Sequence, residues 1–275
     1  FFKQKTAYEM LRSLVGSEMC IRDRILYSMT KEINNPNLFS EDRKFGNTSY
    51  DATFNGEKYS GVGMVFRLSR NTKNHWFGIS YQDFSPTFQP HLGFVTSNNK
   101  RQVNVWNQFN FYLNNPIIDI ASIEVNAGLK FNYLGARKER WVMLGVGGQF
   151  KNQINVSIGF LPVNEEIFKG RRFSKVTRLF ASVYSTPFEF LTLRLDGEYG
   201  KQIYRAREPK LGFTKEFNVY LKLKPTDKFE SSIWIAKARL EDDRTGEIFY
   251  DGYVAGLVGI YQFNPNFFIR LITQY

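Results

Sequence analysis

The chain has 275 residues, a formal net charge of +11, a mean hydropathy of −0.36 and an aromatic content of 17%. It contains one Cys and no run of about 18 apolar residues, which excludes an internal disulfide framework, a multi-Cys zinc site and a helical membrane span. A β-barrel membrane span is not excluded, because its strands alternate lipid-facing residues with polar ones.

Residues 1–24 share no pattern with the rest of the chain and contain the single cysteine, Cys20. Two blocks, Lys3–Glu9 and Ser13–Asp23, resemble conceptual translations of short-read sequencing adapters. We therefore expect residues 1–24 to be a non-native segment that makes few contacts with the fold. A genuine N-terminal helix is the alternative. Residues 25–44 are expected to form a linker or loop, and residues 45–275 to be a barrel fragment that is cut at both ends.

Beyond residue 45 the dominant pattern has a period of two, which is typical of half-exposed strands. In residues 119–133, for example, Ile123 and Val125 flank Glu124. A helix would bring such polar positions onto the apolar side within one turn. The pattern predicts twelve strands, near 60–70, 74–83, 101–112, 119–133, 140–151, 153–162, 176–185, 189–200, 214–224, 229–240, 251–262 and 266–275, and a weaker one near 45–54.

Short connections that contain Pro, Asn or Asp alternate along the chain with longer, mostly charged ones. The short ones are Arg70–Asn74, Asn114–Ile117, Lys151–Gln153, Ser185–Phe188, Pro225–Lys228 and Asn264–Asn266, and the longer ones are 84–100, 134–139, 163–175, 201–213 and 241–250. This alternation is typical of outer-membrane barrels, whereas a soluble sandwich uses Greek-key crossings. The predicted fold class is all-β, an antiparallel up-and-down transmembrane β-barrel, partial, with about 12–13 strands.

The two faces of the predicted strands differ in polarity. The residues expected to face lipid are Ile123, Val125, Leu129, Leu191, Leu193, Val219 and Leu221. The residues expected to face the lumen are Glu124, Lys130, Arg194, Asp196, Glu198 and Lys222. A wide lumen keeps these charges hydrated, whereas a dry core would leave them buried and unpaired. A sandwich that turns them toward water is the alternative.

Aromatic residues near the strand ends fit interfacial girdles. They are Tyr112, Tyr133, Trp141, Tyr184, Tyr199 and Phe263. Three glycines of one predicted strand, Gly145, Gly147 and Gly148, are interpreted as marks of a bend or of close packing rather than as a phosphate cradle, because no helix follows them.

Few residues suggest covalent chemistry or metal binding, and no catalytic, cofactor or metal site is expected. The two histidines, His75 and His91, lack a suitably placed serine partner. Asp196 and Glu198 lie on one face at a spacing that a glycosidase pair could use, but the nearby Arg194 is expected to hold both in the ionised state. The acidic residues between 241 and 251 are interpreted as a solvated loop rather than a calcium site, since they lack EF-hand spacing.

Two basic loops are the candidate contact sites for anionic partners. Their arginines are Arg171, Arg172, Arg205 and Arg207. Because they fall in the longer connections, contacts with lipopolysaccharide or anionic solutes are preferred over nucleic acid, which is not expected as a partner.

Three segments carry a resemblance to a known family: Phe84–Val95 (FSPTFQPHLGFV), Lys224–Phe229 (KPTDKF) and Tyr250–Tyr275. They resemble the C-terminal domain of unknown function of certain Gram-negative surface proteins, which also carry an N-terminal carbohydrate-binding domain similar to family 9 modules. The resemblance covers most of residues 60–275 and implies an outer-membrane barrel with a sugar-binding partner domain. That domain is absent from this sequence, so no sugar-binding residue is carried over.

The sequence therefore predicts the membrane-embedded β-barrel part of an outer-membrane surface or transport protein linked to carbohydrate binding or uptake. Two alternatives are open: an outer-membrane barrel enzyme that acts on lipid or glycan, and a soluble all-β binding module. The expected partners are the lipid bilayer, lipopolysaccharide, the barrel-assembly machinery and a carbohydrate bound through the absent N-terminal domain.

Overall fold

A computed structural model describes residues 18–38, 44–51, 53–89, 97–113 and 115–275 of the protein. Within these ranges the strands are β1 (Glu18–Lys31), β2 (Lys58–Asn71), β3 (His75–Phe84), β4 (Lys100–Tyr112), β5 (Ile118–Phe131), β6 (Arg137–Phe150), β7 (Ile154–Phe168), β8 (Arg171–Phe173), β9 (Arg178–Phe188), β10 (Leu191–Tyr204), β11 (Lys210–Thr226), β12 (Phe229–Asp242), β13 (Ile248–Asn264) and β14 (Phe267–Gln274). Single 3₁₀ turns lie at Pro36–Leu38 and Lys151–Gln153. Of the residues described, none belongs to a helix with the length and apolar character needed to cross a membrane.

The strands form one antiparallel sheet in up-and-down order. Each strand neighbours the next along the chain from β1 to β14, except that the three-residue strand β8 pairs with β7 outside this path and β9 takes the next place. The predicted all-β, up-and-down class is therefore confirmed, and so are the twelve main predicted strands. The weaker strand predicted near 45–54 is wrong, because the described residues of that region contribute only one isolated bridge, from Lys44 to Asp51.

The sheet starts earlier in the chain than the sequence predicts. Residues 18–24 were expected to make few contacts, yet they belong to β1 and pair with residues 65–71 of β2, and Ile25–Lys31 continue the same strand instead of forming a linker. The contact is mainly one of backbone hydrogen bonds, since Ile21 remains 63% exposed. Strands pair through backbone hydrogen bonds and need no matching apolar side chains. The hydrophobic pattern of the sequence therefore did not predict β1. Leu11 and Leu14 lie outside the described residues.

The predicted alternation of connection lengths is only partly present, because three connections predicted to be longer, 132–136, 205–209 and 243–247, are no longer than the short connection 113–117. One set comprises 72–74, 113–117, 151–153, 189–190, 227–228 and 265–266, and the other comprises 32–57, 85–99, 132–136, 169–177, 205–209 and 243–247. The predicted loop at 201–213 shrinks because β10 continues to Tyr204 and β11 begins at Lys210. In the tight turn after β6, Asn152 has a left-handed φ of 61°, which asparagine tolerates better than most residues.

Backbone contacts divide the chain into two compact units. The N-terminal unit comprises Phe1–Asn107 and Asn126–Trp141, and the C-terminal unit comprises Gln108–Val125 and Val142–Tyr275. Among the described residues of both units, only seven hydrophobic side chains are buried: Tyr59, Phe84, Phe88, Leu161, Phe173, Val176 and Ile203. Most apolar side chains of the described strands therefore keep part of their surface exposed.

Candidate functional site

The C-terminal unit has two chemically different faces, because side chains alternate along each strand. On one face the directly opposed residues of β10 and β11 are apolar, in the pairs Leu191–Leu223, Leu193–Leu221 and Leu195–Val219. On the other they are mostly polar, in the pairs Thr192–Lys222, Arg194–Tyr220, Asp196–Asn218 and Glu198–Glu216. We call these the apolar face and the polar face.

A pocket of about 300 Å³ lies on the polar face of the C-terminal unit. Its polar lining comes from five strands and comprises Ser122, Glu124, Ser157, Ser182, Asp196, Glu198, Glu216 and Asn218. Strand β6 contributes glycines to this lining, and a Cβ added to Gly147 would lie 2.7 Å from Ser122 Oγ. The predicted close packing is thus a feature of the pocket wall at Gly147, whereas Gly148 is not part of the lining.

Two arginines pair with two of the four carboxylates in this pocket. Arg194 donates from Nε and Nη2 to the two carboxylate oxygens of Asp196, at 2.8 and 3.2 Å. Arg178 donates to Glu198 at 2.7 Å. The sequence predicted that Arg194 would keep both Asp196 and Glu198 ionised. In the structure Glu198 instead pairs with a different arginine, Arg178. Arg178 lies opposite Gly200, which has no side chain in the way, so its guanidinium reaches Glu198.

Two more of the charges predicted to face a lumen, Lys222 and Lys130, also form ion pairs. Lys222 pairs with Glu230 at 2.9 Å in the C-terminal unit. In the N-terminal unit, Lys130 pairs with Glu139 at 3.4 Å. Glu216, which the sequence did not single out, lines the pocket and accepts a hydrogen bond from Thr214 at 3.1 Å.

The arginines predicted as loop contacts form ion pairs and hydrogen bonds within the C-terminal unit. Arg205 makes a two-pronged ion pair with Glu166, at 2.6 and 2.7 Å. Arg172 donates at 2.6 Å to Glu165, whose side chain is 5% exposed, while Arg172 itself is 61% exposed. Such bidentate and partly buried pairs are among the stronger contacts of a protein surface.

The same arginines connect the segments 169–177 and 205–209. Arg171 donates to the carbonyl of Pro209 at 3.1 Å, and the carbonyl of Arg207 accepts a hydrogen bond from Lys169 at 3.3 Å. A small hydrophobic cluster lies with them, formed by Phe173, Val176 and Ile203 with Phe168 and Leu211. The two basic loops therefore form one packed structure.

The acidic residues near the β12–β13 connection are engaged with cations and with the turn. Glu241 pairs with Lys215 at 2.7 Å, and Asp251 pairs with Lys237 at 2.6 Å. The backbone N–H groups of Thr245 and Arg244 donate to Asp242 and hold its pKa below the ordinary value. In the described part of the chain, no group of three or more His, Cys, Asp or Glu side chains is arranged to hold a metal ion.

Of the two histidines, only His75 can be placed. Its Nε2 lies 3.2 Å from Asn107 Oδ1. His91 lies outside the described residues.

In the N-terminal unit, residues 85–89 fold back onto the β1–β2 surface. Thr87 Oγ1 donates to the Ser60 carbonyl at 2.6 Å, and the Gln89 N–H donates to Ser28 Oγ at 3.1 Å. The sequence predicted a longer connection at 84–100, and residues 85–89 are a part of that connection that packs on these strands. Residues 90–96 lie outside the described residues.

Two glycines of β2 make the room for this folded-back segment. A Cβ on Gly61 would lie 2.3 Å from the Cα of Phe88, and a Cβ on Gly63 would lie 2.8 Å from the Phe84 ring. Phe88 is 3% exposed and stacks on Phe84 with ring centroids 5.3 Å apart. Only glycine permits so close an approach of backbone to backbone.

Asp83 is the centre of a polar cluster at the loop end of the N-terminal unit. It accepts hydrogen bonds from Tyr81 at 2.9 Å, from Arg101 at 3.2 Å and from the hydroxyl of Tyr133. Burial, together with the hydrogen bond to Asp83, raises the pKa of Tyr133 to about 12. The Tyr133 hydroxyl therefore stays protonated at neutral pH and serves as a fixed donor.

The aromatic residues predicted to form a girdle do not all share one face of the sheet. Tyr199 lies on the apolar face of the C-terminal unit, but Tyr184 lies opposite Arg194 on the polar face. In the N-terminal unit, Trp141 donates to Asn126 at 2.9 Å and covers Gly128. Trp141 thus has the same local role as two other tryptophans that cover glycines, Trp106 over Gly78 and Trp234 over Gly256.

A scan against models of known protein families and a search of curated proteins both gave no match. The fold defines the class of protein, which is an all-β, up-and-down antiparallel sheet whose C-terminal unit has one apolar and one polar face.

Proposed function

We propose that this chain is the membrane-embedded β-barrel part of an outer-membrane surface or transport protein. Its polar face would contact hydroxyl-rich solutes such as carbohydrates. The observation that carries the proposal is the order of side chains across the apolar face of the C-terminal unit. That order matches the successive layers of a lipid bilayer.

Across strands β10 to β13, the apolar face changes character along the strand direction. Directly opposed residues first form two apolar rows, Leu193–Leu221–Ile233–Leu257 and Leu195–Val219–Ile235–Ala255. Toward connection 205–209 follow two rows, Gly197–Phe217–Lys237–Tyr253 and Tyr199–Lys215–Arg239–Asp251. An apolar band that is flanked by aromatic and then charged side chains is the surface pattern of transmembrane β-barrels.

The exposure of the apolar side chains supports lipid as their solvent. Ile158, Phe160, Phe217 and Ile235 are all more than 40% exposed, although they share a face with leucines and valines. Soluble proteins rarely leave so continuous an apolar surface in contact with water. The soluble-module alternative is therefore disfavoured.

The pocket chemistry supports a polar solute on the other side of the sheet. Serine hydroxyls, the Asn218 amide and several carboxylates lie together around a space of about 300 Å³. Sugar hydroxyls both donate and accept hydrogen bonds, so they complement such a mixed lining. The resemblance to surface proteins that carry a carbohydrate-binding domain points to the same class of solute.

The alternation of connections supports an orientation for the proposed barrel. In the C-terminal unit, connections 169–177, 205–209 and 243–247 would lie on the external side, where they meet lipopolysaccharide, and connections 189–190, 227–228 and 265–266 on the periplasmic side. Assembly would then require the barrel-assembly machinery of the outer membrane.

The proposal includes no covalent chemistry. Asp196 and Glu198 are the carboxylates that a glycosidase pair would need, and each is paired with its own arginine. A carboxyl group in that setting is poorly suited to donate a proton as a general acid. A barrel enzyme would therefore have to use another carboxylate of the pocket, Glu124 or Glu216, as its acid.

Replacing Asp196 by Asn together with Glu198 by Gln is expected to change solute passage. The change removes two negative charges from the pocket and frees Arg194 and Arg178, so the preference for cations over anions should fall several-fold. The reversal potential of the full chain in planar bilayers under a salt gradient, and liposome swelling in neutral sugars, would measure the change.

Asp251→Asn is the matched control, because this carboxylate also pairs with a cation but lies on the apolar face. It should leave the ion preference unchanged. Unaltered passage in the double variant would contradict the proposed solute path. Loss of a sugar-hydrolysing activity in an otherwise assembled double variant would show that the chain is an enzyme.

A further inference from the structure

A shallow groove of about 450 Å³ lies on the apolar face of the C-terminal unit, around Gly197. Its apolar walls are Leu179, Ala181, Tyr199 and Phe217. A Cβ added to Gly197 would find only the Glu216 carbonyl oxygen within 4 Å, at 3.8 Å, so the absence of a side chain there opens the groove. Its volume is within the range of about 300–1,000 Å³ that is usual for small-molecule clefts.

Three positively charged side chains lie at one edge of this groove. Lys215, Lys237 and Arg239 are part of its lining, and their side chains are 39–51% exposed. Their carboxylate partners, Glu241 and Asp251, are not part of the lining. Glu198 and Glu216 also border the groove, but their side chains belong to the opposite, polar face.

The position of the groove matches that of a lipid head group. It lies in the two rows where the apolar face passes into aromatic and charged residues. These two rows lie at the end of the strands that leads to connections 205–209 and 243–247. Both connections belong to the set proposed to lie on the external side. An apolar cleft under a cationic edge complements an amphiphile with an acyl chain and a phosphate.

We propose that this groove binds the lipid A part of lipopolysaccharide, with an acyl chain along Gly197 and a phosphate against Lys215, Lys237 and Arg239. The site rests on the proposed membrane orientation, because only the external leaflet presents lipid A. The cations reach the phosphate from their exposed sides while they stay linked to Glu241 and Asp251. Bound lipid would thereby join strands β9 to β12 at the membrane surface.

The test is native mass spectrometry of the full chain, folded in detergent and titrated separately with diphosphoryl lipid A and phosphatidylethanolamine. We expect a preference for lipid A of at least about tenfold. Gly197→Leu fills the groove with an apolar side chain that lipid tolerates, and it should abolish the preference. Lys237→Gln should weaken lipid A binding about fivefold.

Lys222→Gln is the matched control, since Lys222 also pairs with a glutamate but lies on the polar face. It should leave lipid A binding unchanged. Equal binding of the two lipids would overturn the site. A Gly197→Leu variant that keeps the preference for lipid A, and changes at most the formation of dimers, would overturn it as well. Insertion of the chain into vesicles is scored in parallel. An inserted chain without lipid preference refutes the groove alone, and a chain that does not insert refutes the proposed function as well.

Discussion

Replacing Leu193 by Arg is expected to destabilise the folded chain in a phospholipid bilayer by about 2–4 kcal/mol. Leu193 lies opposite Leu221 in the apolar band, between the aromatic rows and the short connection 227–228. A charge at this depth must leave water for hydrocarbon, and no acidic residue of the opposed apolar rows is there to pair with it. Urea titration of the protein in vesicles, followed by tryptophan fluorescence, would measure the free energy of unfolding.

Thr192→Arg provides the control at the same depth on the opposite face. Thr192 lies opposite Lys222 on the polar face, where water is expected, so the new charge should cost less than about 1 kcal/mol. Equal destabilisation by the two substitutions would mean that the faces do not differ in solvent.

Replacing Gly61 by Val is expected to detach residues 85–89 from the β1–β2 surface. The Cβ would lie 2.3 Å from the Phe88 Cα, which is backbone and cannot rotate away, so the segment must move. The free energy of unfolding should fall by about 1–3 kcal/mol. Cleavage within 85–99 by a soluble protease should become faster.

Gly259→Val is the matched control, because nothing lies within 4 Å of the position its Cβ would take. This variant should keep the cleavage rate and the stability of the parent chain. A Gly61→Val protein with unchanged protease sensitivity would contradict the described packing of Phe88 on β2.

The strands were predictable because each carries its own alternation. Leu191, Leu193 and Leu195 identify the apolar side of β10 without knowledge of any neighbour, and the same holds for Val219 and Leu221 in β11. The shared face of Arg194, Asp196 and Glu198 follows from the same period. Alternation is a local property, so it survives in a single sequence.

What the sequence did not predict depends on contacts between distant residues. The pairing of Glu198 with Arg178 requires the register of β9 against β10, and the position of Phe88 requires Gly61 on another strand. The place of Trp141 near a strand end led to the prediction of an interfacial position, but the space over Gly128 determines where its ring lies. The sequence signal that could have indicated the position of Phe88 is the spacing of Gly61 and Gly63, which places both glycines on one face of β2.

The central claim is that the apolar face contacts lipid while the polar face contacts water, and adjacent residues of β11 test it most directly. Cys20 is exposed and would first be replaced by Ser. Asn218→Cys and Val219→Cys are then made separately, folded into phospholipid vesicles and treated with a membrane-impermeant maleimide. We predict rapid labelling at position 218 and protection at position 219, with both labelled after denaturation. Labelling of position 219 that is as fast as that of position 218 would contradict the membrane-spanning sheet.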